Sequence, residues 1–143
     1  MSEDLKQAIS EDGRYMALTR GIRVLVDPAY LEEQSDPDAN RFVWAYTIEI
    51  INEGSQTVQL KERYWQITDG MGKVEYVKGA GVVGEQPVLK PGDSFEYTSG
   101  CPLATNSGFM AGRYTMLAES KERFDIDIPA FALDLPDRNQ AVN

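Results

Sequence analysis

From Ile22 onward the chain alternates apolar and polar residues with a period of two. Ile22, Val24 and Val26 point one way and Arg23, Leu25 and Asp27 the other, until Pro28 ends the run. Such alternation predicts a strand covered mainly on one face. The longest run follows, with Phe42, Trp44, Tyr46, Ile48 and Ile50 on one face and Val43, Ala45, Thr47 and Glu49 on the other. Its β-branched and aromatic residues suit a pleated surface. After the turn residues Asn52-Glu53-Gly54-Ser55, Val58 and Leu60 set one register and Trp65 and Ile67 the opposite one. A change of phase inside a strand requires an extra residue, so a bulge is expected near Glu62–Tyr64.

The same reading continues to the end of the chain. Asp69-Gly70-Met71-Gly72 predicts a hairpin loop into Lys73–Lys78, and Lys90-Pro91-Gly92-Asp93 a second turn. Phe95 with Tyr97, Met110 with Gly112, Tyr114 and Met116, and Phe124 with Ile126 and Ile128 opposite Asp125 and Asp127, mark three more strands. Pro129 interrupts, and Phe131, Leu133 and Leu135 resume the alternation. Seven to nine short strands, with no extended window of helical period, define an all-β sandwich or barrel. Residues 1–21 hold a single helix-like pair, Leu5 with Ile9, among charged residues, and are expected to form a mobile extension with at most a turn or two of helix. The domain itself is placed at 22–136, and 137–143 reads as a polar tail.

Composition narrows the chemistry. The 143 residues contain no histidine and one cysteine, Cys101, which removes Ser-His-Asp triads, Cys-His dyads and multi-cysteine metal sites. Fourteen Lys and Arg against 23 Asp and Glu leave a net charge of −9 with no basic run, a field that repels nucleic acid. No apolar stretch reaches the roughly 18 residues of a membrane span. The acidic start Met1-Ser2-Glu3-Asp4-Leu5-Lys6 and the lone thiol make the cytoplasm the expected compartment.

Four groups of residues are candidates for function. Gly79-Ala80-Gly81-Val82-Val83-Gly84 spells GxGxxG after a strand, but Glu85-Gln86-Pro87 follows where a dinucleotide fold needs a helix. A weaker reading, a nest of amides for phosphate or nucleotide, stands beside the plain one, a loop whose glycines permit positive φ. Gly79, Gly81, Gly84, Glu85 and Gln86 are therefore taken as a candidate interaction loop. Asp36-Pro37-Asp38-Ala39-Asn40 copies the start of a calcium loop, yet Arg41 and Thr47 stand where the glycine and the bidentate glutamate belong, so a solvated turn is the better reading. Asp125 and Asp127 share a strand face that is more simply the wet side of a half-buried strand. Tyr64 and Trp65, adjacent in a strand, must point to opposite faces, so both cannot be core unless the bulge intervenes; each is a candidate exposed aromatic that could anchor a partner, beside the plainer reading of core or sheet packing. Cys101 has no base to activate it and reads as a packing residue.

The segments Ser35-Asp36-Pro37, Phe42–Ile48, Arg63–Asp69, Gly79–Pro87, Pro91-Gly92, Tyr97–Cys101 and Ile128–Phe131 together resemble the bacterial ApaG family, in order and spacing, from about Ile22 to Pro136. The resemblance implies a fibronectin type III or immunoglobulin-like β-sandwich. It implies no established catalytic residue and no cofactor. It also implies a link to cobalt resistance and magnesium efflux, under the name CorD, and to protein-interaction modules within eukaryotic F-box proteins. The N-terminal extension is longer than the family pattern leads one to expect. The function expected is thus a non-enzymatic module binding an unidentified protein, with self-association into a weak homo-oligomer left open. The alternative is a small-ligand accessory protein that takes phosphate, nucleotide or a divalent metal at Gly79–Gly84 or an acidic face.

Overall fold

A computed structural model describes residues 5–136. The expected polar tail at 137–143 and the first four residues lie outside them. Ten strands run in chain order: β1 Leu5–Ile9, β2 Tyr15–Thr19, β3 Ile22–Tyr30, β4 Phe42–Asn52, β5 Val58–Asp69, β6 Val74–Ala80, β7 Val88–Leu89, β8 Ser94–Leu103, β9 Gly108–Ala118 and β10 Arg123–Leu133. They form two antiparallel sheets, one ordered β1-β2-β3-β4-β8 and the other β10-β9-β5-β6, with β7 pairing the start of β5. Among the described residues the only helical pieces are 3₁₀ turns at Glu32–Gln34 and Pro37–Ala39. The all-β sandwich is the architecture expected from the alternation.

The inner faces meet in one core. Trp44, Tyr46, Ile48 and Ile50 of β4 pack with Leu60 and Trp65 of β5, Met110, Tyr114 and Met116 of β9, and Ile126, Ile128 and Phe131 of β10. Phe95, on the same face of β8 as Tyr97, is only partly buried. The phase change in β5 is a bulge between Leu60 and Glu62, slightly earlier than the sequence pattern places it. Pro129 falls inside β10 at a register shift between Ile128 and Phe131, where a residue without an N–H is tolerated. The alternation ends at Leu133, and Leu135 is exposed.

The N-terminal segment departs from expectation. Residues 5–19 are a β-hairpin added to the first sheet, not a helical turn on a mobile extension. Tyr15, Ala17 and Thr19 carry the period-two signal that the surrounding charges mask. Arg20 and Gly21, both with positive φ, then make the tight two-residue turn into β3. The hairpin also covers the outer edge of β10. Tyr15 Oη accepts a hydrogen bond from the Ala132 amide at 3.4 Å, and Thr19 Oγ1 one from the Asp127 amide at 3.2 Å. Uncapped edges invite pairing with another chain. With β10 covered, β6 is left as the open edge of the second sheet, and β8 ends the first sheet on the same side of the sandwich.

Candidate functional site

The bulge decides what the site contains. Because the extra residue is at Lys61, Arg63, Trp65 and Ile67 turn inward and Glu62, Tyr64, Gln66 and Thr68 turn out. Trp65 is therefore 3% exposed and serves the core, which corrects its reading as an exposed anchor. Its ring meets Tyr46 at 5.3 Å and Phe131 at 5.9 Å. Tyr64 is half-buried on the outer face, stacked on Tyr76 at 6.0 Å with the Arg113 guanidinium 4.0 Å from its ring centre.

The glycine motif has a structural account residue by residue. A Cβ at Gly79 would lie 2.9 Å from both terminal nitrogens of Arg63, so this glycine lets β6 cross over the guanidinium. Gly81, at φ +64°, has the Glu85 carbonyl oxygen 2.2 Å from where its Cβ would be. Val82 and Glu85 exchange amide-to-carbonyl bonds of 2.8 Å around Val83 and Gly84, whose φ values of +43° and +82° make a two-residue hairpin turn. The bulged Lys61 carbonyl accepts from the Gly81 amide and from Gln86 Nε2, each at 2.9 Å. The amides of Gly81, Val82 and Glu85 are thus engaged inside the protein, and a phosphate nest would have to do without them.

Between the open edges β6 and β8 lies a cleft of about 310 Å³. Trp65, Met110 and Val77 supply apolar walls, and Arg63, Tyr46 and Ser99 bring polar groups to it. Arg63 Nη1 donates to the carbonyls of Ala80 at 3.1 Å and Gly81 at 2.9 Å. Tyr46 is paired with the Ser99 side chain across the β4–β8 ladder. Deeper still, the hydroxyls of Tyr97 and Tyr114 lie 2.5 Å apart. Burial raises the pKa of both phenols and that of Tyr46. Burial first, and the Glu75 carboxylate second, push the Cys101 thiol up to about 11. The thiol is held protonated at neutral pH, which suits packing rather than nucleophilic attack.

These shifts set a pH dependence. The unfolded chain releases the thiol proton near 9.0 and the phenol protons near 10.0, before the native state does. The stability they contribute is complete below the unfolded values and is lost as pH rises through the native ones. Thermal melts from about pH 8 to about pH 11 should show a falling Tm, and Cys101→Ala should move the onset upward.

The remaining candidates are not brought together. The Asp36–Asn40 segment is a 3₁₀ turn with Asn40 in the left-handed region. Asp125 accepts from Thr115 Oγ1 at 2.8 Å and faces Arg113 at 3.6 Å. Among the described residues no three acidic or thiol side chains converge as a metal site. Among the described residues no helix is long and apolar enough to cross a membrane.

Sequence reasoning missed the outer face of the second sheet. Val74 and Tyr76 of β6, Tyr64 of β5 and Phe109 of β9 form an apolar and aromatic platform, with Tyr76 61% and Phe109 47% exposed. Thr68 lies between Val74 and Phe109, and its hydroxyl is buried without a hydrogen-bond partner among the described residues. An unmet buried hydroxyl costs roughly 1–3 kcal/mol. Arg63 was also missed, although moving the bulge to Lys61 places an arginine in an otherwise apolar inward series, which is the signal that would have found it.

The structure thus defines a class, a two-sheet all-β domain open between β6 and β8. Residues 32–118 match the family model described as the ApaG domain. The chain is 59% identical over 129 residues to Protein ApaG of Brucella canis, covering 90% of this chain and 99% of that one, and equally close to its namesake in Brucella anthropi. The crystal structure of the putative ApaA protein from Bordetella pertussis superimposes with a TM-score of 0.79 at 49% identity, covering 80% of this chain and 94% of that one. The chain belongs to the ApaG family. The match to the Brucella canis protein spans 129 of the 143 residues and therefore takes in part of the N-terminal segment.

Proposed function

We propose that the domain is a non-enzymatic binding module whose partner is a protein, held at the open β6 edge and on the platform beside it. The observation that carries this reading is the pairing of an uncapped, exposed strand with exposed aromatic residues on its own outer face, while the opposite edge of the same sheet is capped by β2. A partner segment lying extended along β6 would complete the backbone ladder, and its apolar side chains would cover Tyr76, Val74 and Phe109. It would also offer an acceptor or donor to Thr68. In this reading the link to cobalt and magnesium handling implied by the family resemblance runs through the partner.

Affinity capture from cells with wild type, Tyr76→Ala and Phe109→Ala tests this. Aromatic anchors of an interface typically contribute about 2 kcal/mol or more, so each variant should weaken recovery of a specific partner by roughly thirtyfold while remaining folded by circular dichroism. Glu33→Ala, in the 3₁₀ turn outside the second sheet, should recover it normally. Unchanged recovery by both aromatic variants contradicts the proposal.

A further inference from the structure

We infer that the cleft between β6 and β8 is a binding site for a carboxylate carried on a short apolar stem, with Arg63 as the group that receives it. Two sources share this chemistry, a free small monocarboxylate and the C-terminal carboxylate of a peptide.

The guanidinium is unusual in how it is held. It sits on the core side of β5 and is only partly exposed. Nη1 is committed to two backbone carbonyls, which fixes the plane of the group, and Gly79 is the residue that lets the strand pass over it. Nε and Nη2 have no acceptor among the described residues, and no carboxylate there forms an ion pair with Arg63. Four other arginines are ion-paired, Arg14 with Asp12 and Glu49, Arg20 with Glu122, Arg23 with Glu53, and Arg113 with Asp125, and the two described arginines that are not, Arg41 and Arg123, are exposed to solvent. A partly buried cation with the adjacent Nε and Nη2 left as donors is a fork for a carboxylate, because the two oxygens of that group match two parallel N–H donors.

The rest of the cleft fits such a ligand. A volume of about 310 Å³ is at the small-molecule scale, and Trp65, Met110 and Val77 provide an apolar wall for a stem. Tyr46 and Ser99 add hydroxyls close to the cation. Glu75 stands toward the other end. It pairs across the ladder with Ile67, whereas Arg63 pairs with Gly79, so the two charges are separated by four residues along each strand, roughly 13 Å at strand spacing. That separation gives the cleft a direction: the anionic end of a ligand belongs at Arg63 and its neutral or cationic end near Glu75. A phosphate would meet one cation and no further basic lining residue, which favours the single charge of a carboxylate.

The test is a titration of the purified full chain with hydrocinnamate, its amide hydrocinnamamide, N-acetyl-valyl-phenylalanine with a free C-terminus, and inorganic phosphate, followed by tryptophan fluorescence and by melting temperature. The expected result is saturable binding of hydrocinnamate or the peptide acid with a Kd on the order of 1 mM or tighter, and at least tenfold weaker binding of the amide and of phosphate. Preference for hydrocinnamate identifies a free metabolite as the source, and preference for the peptide acid identifies a chain terminus. Arg63→Gln should abolish binding. Since Arg63 also braces the glycine loop, Val77→Trp, which fills the cleft from the edge and leaves the arginine in place, is the second variant and should abolish it too. Absence of saturable binding by both acids overturns the inference, as does binding of amide and acid alike or binding that survives in both variants.

Discussion

Phe131→Ala is expected to destabilise the domain by about 3–5 kcal/mol, the usual range for deleting a buried phenylalanine. Phe131 is 2% exposed and lies at the meeting point of four strands. Its ring is 5.8 Å from Tyr46 on β4, 5.9 Å from Trp65 on β5 and 6.2 Å from Tyr15 on β2. Truncation removes the transfer free energy of the ring and leaves a cavity that three other rings border, each fixed by its own strand, so collapse is restricted. Urea denaturation reads the loss directly. A change below about 0.5 kcal/mol would mean that the aromatic cluster is not a packed core. Because Tyr15 rests on this ring, the substitution should also loosen the N-terminal hairpin, seen as faster amide exchange at Ala132.

Gly81→Ala is the second large effect. The left-handed region costs an L-residue about 1–2 kcal/mol, and forcing a methyl into a packed backbone adds about 1–3 kcal/mol. At Gly81 both apply, since φ is +64° and the Glu85 carbonyl oxygen is 2.2 Å from the new Cβ. Gly84 has φ +82° but open space around its Cβ. Gly84→Ala should therefore carry the first cost alone, about 1–2 kcal/mol. Equal losses at the two positions would show that steric contact with Glu85 does not govern the loop. The contrast needs no ligand, and it distinguishes glycines serving backbone geometry from glycines serving an anion.

The fold was legible because its signal is repeated. Strand β4 alternates buried and half-buried positions from Trp44 to Asn52, and it pairs with strands on both sides. The N-terminal hairpin was not legible, since only Tyr15, Ala17 and Thr19 show the pattern and the strand is stabilised by contacts with β10 more than a hundred residues away. Local propensity cannot report such contacts. The site was legible in part. Tyr64 was recognised as a candidate anchor, and the glycine loop as a feature with a purpose, but a one-residue error in the bulge left the inward turn of Arg63 unseen. A slip of one residue exchanges the two faces of a strand, and here it hid the residue that gives the cleft its charge.

The claim that β6 is the recognition edge is tested most directly by photocrosslinking in cells, with benzoylphenylalanine placed at position 76 and, as control, at position 33. Tyr76 is exposed on the outer face of β6, and Glu33 is exposed in a 3₁₀ turn outside the second sheet. Irradiation should give a discrete protein adduct from position 76 that is absent from position 33 and is lost when Phe109→Ala is added. No adduct at position 76, or the same adducts from both positions, would contradict it.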